Sequence, residues 1–111
     1  MIIPIKPLSV NKCWQGRRFK TPEYNRYIKE VNLLLPTIME IPEGDIEISF
    51  IFYVSNRLAD WDNPIKPLQD IIAKKYGFND AKIFKGSGEK VLVSKGEERV
   101  EFIIKKLVRN V

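Results

Sequence analysis

The sequence predicts an α+β fold: one small domain spanning 1–111, built on a mixed β-sheet with two main helices and a C-terminal β-hairpin. Three observations lead there. With 111 residues and 44% of them hydrophobic, the chain can bury one core but not two. Two windows carry apolar residues at three- and four-residue spacing, as helices do. Runs of β-branched and aromatic residues, bounded by Gly, Pro and Asp, mark strands.

The elements follow in order. Met1 to Ile5 is apolar and interrupted by Pro4, which suits an edge strand or an extended lead-in. Asn11 to Lys20 reads as a basic loop, with Trp14 and Phe19 interleaved among the charges and Gly16 supplying flexibility. Thr21-Pro22-Glu23 is a helix start, with Thr21 as N-cap, Pro22 in the first turn and an acid behind it. Tyr24, Tyr27, Ile28, Val31 and Leu35 then share one face, and Pro36 ends the helix. Ile46 to Val54 alternates and then turns continuously apolar, as expected of a strand covered on both faces near its end. A second helix runs from the Pro64–Pro67 region to about Lys75, burying Leu68, Ile71 and Ile72, with Gly77 as its terminator. Ile83-Phe84 begins a further strand, Gly86-Ser87-Gly88 reads as a bend or bulge, and Lys90–Ser94 and Arg99–Leu107 form a hairpin about Gly96.

Composition narrows the chemistry. Lys and Arg outnumber Asp and Glu by 19 to 14, for a net charge of +5, which is compatible with a polyanionic partner. No apolar run is long enough to span a bilayer, and Met1 to Lys6 lacks the plan of a secretory signal, so a cytoplasmic protein without membrane contact is expected. Without histidine, His-based triads are excluded; with Cys13 alone, so are an internal disulfide and a multi-cysteine zinc site.

The chemistry-bearing stretch is Asp60-Trp61-Asp62-Asn63-Pro64-Ile65-Lys66, with Asn79-Asp80 returning after the second helix. Two carboxylates at i and i+2, where a strand ends, project to one side and can grip a hard cation such as Mg²⁺. Lys66 nearby can neutralise charge on a phosphoryl oxygen, so metal-assisted phosphodiester hydrolysis is the leading reading. Asp62, Lys66 and Asp70 recur every fourth residue and are expected on one helical stripe. The same residues support plainer readings: Asp62 or Asn63 as a helix cap, Lys66–Asp70 as an i,i+4 surface pair, and Asp80 as a solvated turn residue. Trp14 and Phe19 suit core anchors as well as base-stacking groups.

The order Asp60-x-Asp62-Asn63-Pro64-x-Lys66, a helix bearing Asp70, then Gly77 and Asn79-Asp80, resembles the RusA family of Holliday-junction resolvases. Pro7, Ser9, Asn11 and the arginine-bearing loop before a tyrosine-rich helix resemble that family's opening segment, so the likeness covers nearly the whole chain. It implies a small homodimeric, often phage- or prophage-encoded endonuclease that cuts four-way DNA junctions symmetrically with Mg²⁺, with Mn²⁺ as a substitute and no organic cofactor. It also implies Asp60, Asp62 and Asp80 as metal-binding catalytic acids and Lys66 as the catalytic lysine. Asp70 and Asn63 would support them, and Lys12, Arg17, Arg18 and Lys20 would contact DNA phosphates. Asn79 departs from the pattern where a relative can carry another acid, and Gly86 and Gly88 interrupt what should be a longer strand. A DNA-binding module without catalysis, and a Mg²⁺ nuclease acting on flaps or forks, are the alternatives.

Overall fold

The computed structural model describes residues 1–109. A four-stranded sheet in the order β1-β6-β4-β5 organises them, with β1 at Ile2–Ile3, β4 at Ile46–Val54, β5 at Ile83–Leu92 and β6 at Arg99–Lys106. A separate ribbon pairs β2 (Trp14–Gln15) with β3 (Phe19–Lys20), and two helices, α1 (Pro22–Leu34) and α2 (Ile65–Tyr76), complete the α+β domain.

β4 forms where expected. It lies between two neighbours, β5 running parallel and β6 antiparallel. Its strict alternation puts Ile46, Ile48, Phe50, Phe52 and Val54 on the buried side. The expected two-sided cover near its end is absent: Ile51 and Tyr53 are only half-buried, opposite Glu101 and Arg99 on a face rich in polar side chains. Both helices supply the other face, where Tyr24, Tyr27, Val31, Leu68, Ile71 and Ile72 join Phe50, Phe52 and Phe102 in one core. Each large apolar side chain so buried contributes about 1.5–3 kcal/mol.

Thr21 caps α1 by accepting from the Tyr24 N–H at 3.1 Å. Leu35 is extended, as the residue before Pro36 must be. From α2, Tyr76 donates to the Pro36 carbonyl at 2.7 Å and Lys75 to that of Asn32 at 2.6 Å, so the C-terminal turns of the two helices are tied together. Gly77 then ends α2 at φ 70°, the left-handed conformation glycine adopts without strain.

Two expectations change. A turn at Gly96 does precede the last strand, but β5 and β6 do not pair with each other; each lies against opposite edges of β4. Nor do the glycines break β5. Gly86, Ser87 and Gly88 stand in regular register opposite Ile48, Ser49 and Phe50, and the one irregularity falls earlier, where Ile46 pairs with Ile83 and Glu47 with Lys85. Because β4 and β5 run parallel, their connection must travel back along the sheet, and α2 provides that crossover. The acidic stretch occupies the turn from β4 into α2, at the C-terminal end of both strands.

Candidate active site

The turn after β4 is built from its own backbone. The Ala59 N–H bonds the Asn56 carbonyl at 3.1 Å and the Leu58 N–H bonds Asn56 Oδ1 at 2.9 Å, which reverses the chain ahead of Asp60. Ile65 N–H bonds the Asp62 carbonyl at 3.0 Å as α2 begins. From outside, the Val10 N–H bonds the Asn63 carbonyl at 3.0 Å, tying the N-terminal segment to the turn.

The side chains then divide into two groups. Asn63 Nδ2 donates to Asp60 Oδ2 at 2.7 Å, so Asn63 orients the first acid. Lys66 Nζ lies 2.8 Å from Asp70 Oδ1 and 3.4 Å from Asp80 Oδ2, joining α2 to the start of the 3-10 turn Asp80–Lys82. Asn79 is the N-cap of that turn, accepting from the Ala81 N–H at 2.8 Å, so it has a local structural role. The hydrogen bond to Asp70, then the charges of Asp70 and Asp80 against partial desolvation, hold the Lys66 ammonium above its ordinary pKa.

Asp62 differs from both expectations. The N-cap of α2 is Pro64, with no side-chain cap, so neither Asp62 nor Asn63 caps the helix. Asp62 precedes α2, so the stripe of three reduces to Lys66 and Asp70, which form the i,i+4 pair. Asp62 is exposed at the turn. Among the described residues no three Asp, Glu, Cys or His side chains stand close enough together to hold a metal ion. The donor chemistry nevertheless suits a hard cation, since Asp60, Asp62, Asp80 and Asn63 offer only oxygen ligands and the chain contains no histidine.

Asp60 and Asn63 open onto a cleft of about 550 Å³ walled by the N-terminal segment, α1 and the turn after β4. Lys12 lines the same cleft, beside Lys6 and Arg26, so one of the expected DNA contacts shares a wall with Asp60. Tyr27 closes it, nearly buried, and burial pushes its phenol up from the ordinary value. Arg17 and Arg18 instead occupy the turn joining β2 to β3, which Gly16 makes possible at φ 69°. That ribbon replaces the expected irregular loop. Phe19 on it is 72% exposed, so it anchors no core, while Trp14 meets Tyr24 edge to face at 5.8 Å. Lys20 Nζ lies 5.9 Å from the Tyr24 ring centroid.

Two supporting residues escape a reading of the sequence. Lys90 on β5 donates to the carbonyls of Arg57 and Ala59, both at 2.7 Å, immediately before Asp60. Gly88, two residues earlier on the same side of β5, leaves room for Trp61 and Ile65: a Cβ there would stand 2.9 Å from Ile65 Cδ1 and 3.1 Å from Trp61 Cε3. The only sequence signal was the glycine itself, in a strand that otherwise favours side chains. The sequence matches no protein-family model and no curated protein.

Proposed function

We propose that this chain is a Mg²⁺-dependent endodeoxyribonuclease of the RusA type, hydrolysing phosphodiesters in branched DNA, with the four-way junction as its substrate. The observation that carries the reading is the turn at the C-terminal end of β4, where Asn63 orients Asp60 and Asp62 follows, with Lys66 just beyond it on α2 and paired to Asp80 from fourteen residues away. No general base of the histidine type is present, which suits a reaction whose nucleophile is activated by a cation.

Asp60 and Asp62, on one turn, would supply the first oxygen ligands for Mg²⁺, which when bound would polarise the scissile phosphate and supply hydroxide at neutral pH; Asp80, here paired with Lys66, would join them only on leaving that lysine. The chain's own residues do the rest. Asn63 fixes which Asp60 oxygen stays free, since Oδ2 already accepts from Nδ2. Lys66, exposed and protonated, presents its ammonium to charge that develops on the phosphoryl oxygens. Asp70 holds the Lys66 ammonium by the shorter of its two contacts, 2.8 Å against 3.4 Å to Asp80. Lys12 in the cleft wall and Arg17, Arg18 and Lys20 on the β2–β3 ribbon bind phosphates without reading bases. A homodimer would place two such sites for symmetric cuts.

The second reading, a DNA-binding module without catalysis, draws on the exposed aromatic and arginines of the ribbon. Cleavage of a labelled four-way junction, beside a linear duplex of the same arms, separates them. Symmetric Mg²⁺-dependent nicks in the junction that vanish in Asp62→Asn, while gel-shift binding persists, support the enzyme. Binding with no cleavage in Mg²⁺ or Mn²⁺ leaves the binding module, and cuts confined to flaps or forks replace the junction as substrate.

A further inference from the structure

We infer that Lys90 is a positioning residue for the acidic turn: its ammonium clamps the backbone that carries Asp60 and so sets the turn's readiness to bind a divalent cation. The inference rests on the proposed function for its consequence, but its geometry stands alone. β5 is an edge strand, and Lys90 pairs with Phe52, so its side chain leaves the sheet on the helix-bearing face. There the turn after β4 passes beside it. Lys90 Nζ reaches the Arg57 and Ala59 carbonyls at 2.7 Å each, spanning 33 and 31 residues of sequence.

Those two carbonyls flank Leu58, an exposed residue in the reversal that precedes Asp60. Apart from Lys90, the reversal is held by Asn56, within the same turn. Lys90 therefore supplies the tie from this stretch to the sheet, while Val10 holds the far side of the motif at Asn63. A charge-assisted bond is about twice as strong as a neutral one, and two from one ammonium fix both distance and direction. Asp60 begins one residue after the second clamped carbonyl. Its rotamer is set by Asn63, whereas its Cα is set by the clamp. Gly88 acts with Lys90 on the same strand, since the bare glycine lets Trp61 lie against β5. Any cation gathered by Asp60 and Asp62 would otherwise have to order this turn, and that ordering would weaken binding.

The test compares wild type with Lys90→Met, which keeps the stem and donates nothing, and Lys90→Arg, whose guanidinium can still serve two carbonyls. The first arm is amide exchange by NMR in metal-free protein. Lys90→Met should speed exchange at Leu58 and Ala59 by about tenfold and leave the β4 and β6 amides unchanged, with Lys90→Arg near wild type. Unchanged exchange at Leu58 and Ala59 overturns the clamp, whatever the metal does. The second arm titrates Tb³⁺, whose luminescence Trp61 would sensitise at Asp60 and Asp62, with Mg²⁺ as competitor. Lys90→Met should weaken Mg²⁺ competition by about tenfold and Lys90→Arg should restore most of it. Equal affinity in wild type and Lys90→Met overturns the link to cation binding. Wild type that binds no Tb³⁺ at this turn fails the proposed function and removes that link, and the exchange arm still decides the clamp.

Discussion

Asn63 donates its side-chain amide to Asp60 Oδ2 at 2.7 Å, so the asparagine that could have capped α2 is spent on orienting an acid instead. Pro64 takes the cap position without a side-chain bond, which leaves the start of α2 weaker than a Ser or Asp cap would make it. Asn63→Ala should lower junction cleavage by about 10–100-fold at limiting Mg²⁺, while thermal stability moves by no more than about 0.5 kcal/mol, because the bond is exposed. Cleavage within twofold of wild type across a Mg²⁺ titration would reduce Asn63 to a turn residue.

Lys66 should matter to rate far more than to stability. Its side chain is 57% exposed, so the pairs with Asp70 and Asp80 are screened and Lys66→Met should change unfolding free energy by under about 1 kcal/mol. The turnover of bound junction should fall by about 10²–10³-fold with affinity retained. The pH dependence follows from the raised pKa of the ammonium, caused first by the hydrogen bond to Asp70. A group whose folded pKa lies above its unfolded value contributes fully below the unfolded value, about 10.4 for lysine, and loses that contribution as pH rises through the folded one. The ratio of wild-type to Lys66→Met rates should therefore be flat from about pH 6 to pH 9. A ratio that titrates inside that window, or a turnover loss below threefold, removes Lys66 from the chemistry.

Most of the frame was legible in the sequence, and the failures share a cause. The strand Ile46–Val54 and the helix opened by Thr21-Pro22 rest on local alternation and capping, which neighbouring residues decide. Pairing is not local. That β5 runs parallel to β4 while β6 runs antiparallel on the other side depends on α2 lying across the sheet, so a turn at Gly96 between two apolar runs imitated a hairpin. The Gly86-Ser87-Gly88 run imitated a break because glycine favours one, yet Gly88 is needed where Trp61 packs. At the site, Lys66–Asp70 followed from helical spacing, whereas Asp80, expected to return to the first acids, meets Lys66 instead, a contact set by where the chain turns after α2. Asp62 misled because a four-residue spacing was extended back past Pro64, where the helix has not begun.

The arginines of the β2–β3 turn should contribute affinity and not rate. Arg17→Ala with Arg18→Ala removes two exposed charges from a ribbon outside the main sheet, so the fold should be unaffected. Each lost phosphate contact should reduce the slope of log affinity against log salt by about 0.9 on duplex arms. Junction affinity should fall about 10-fold or more at low salt, uniformly across arm sequences, while the rate at saturating enzyme holds. A salt slope equal to that of wild type would place the DNA elsewhere, and the cleft wall carrying Lys6, Lys12 and Arg26 would be the next surface to change.

Two glycines on one strand should respond oppositely. Gly86 has open space around it, the nearest atom to an added methyl being the Ile48 carbonyl oxygen at 3.9 Å, so Gly86→Ala should stabilise by up to about 1 kcal/mol through reduced freedom of the unfolded chain. At Gly88 the first side-chain carbon would already stand 2.9 Å from Ile65 Cδ1, a flexible end that can turn aside, and 3.1 Å from the Trp61 ring, which would have to shift from its place against β5. Gly88→Val should cost about 1–3 kcal/mol and change the Trp61 environment, visible in near-ultraviolet circular dichroism. Cleavage should fall further than the folded fraction does, because Asp60 and Asp62 flank the displaced ring. If Gly88→Val cuts junctions normally while folded, Trp61 packing has no hold on the acidic turn and the glycine is there for the strand alone.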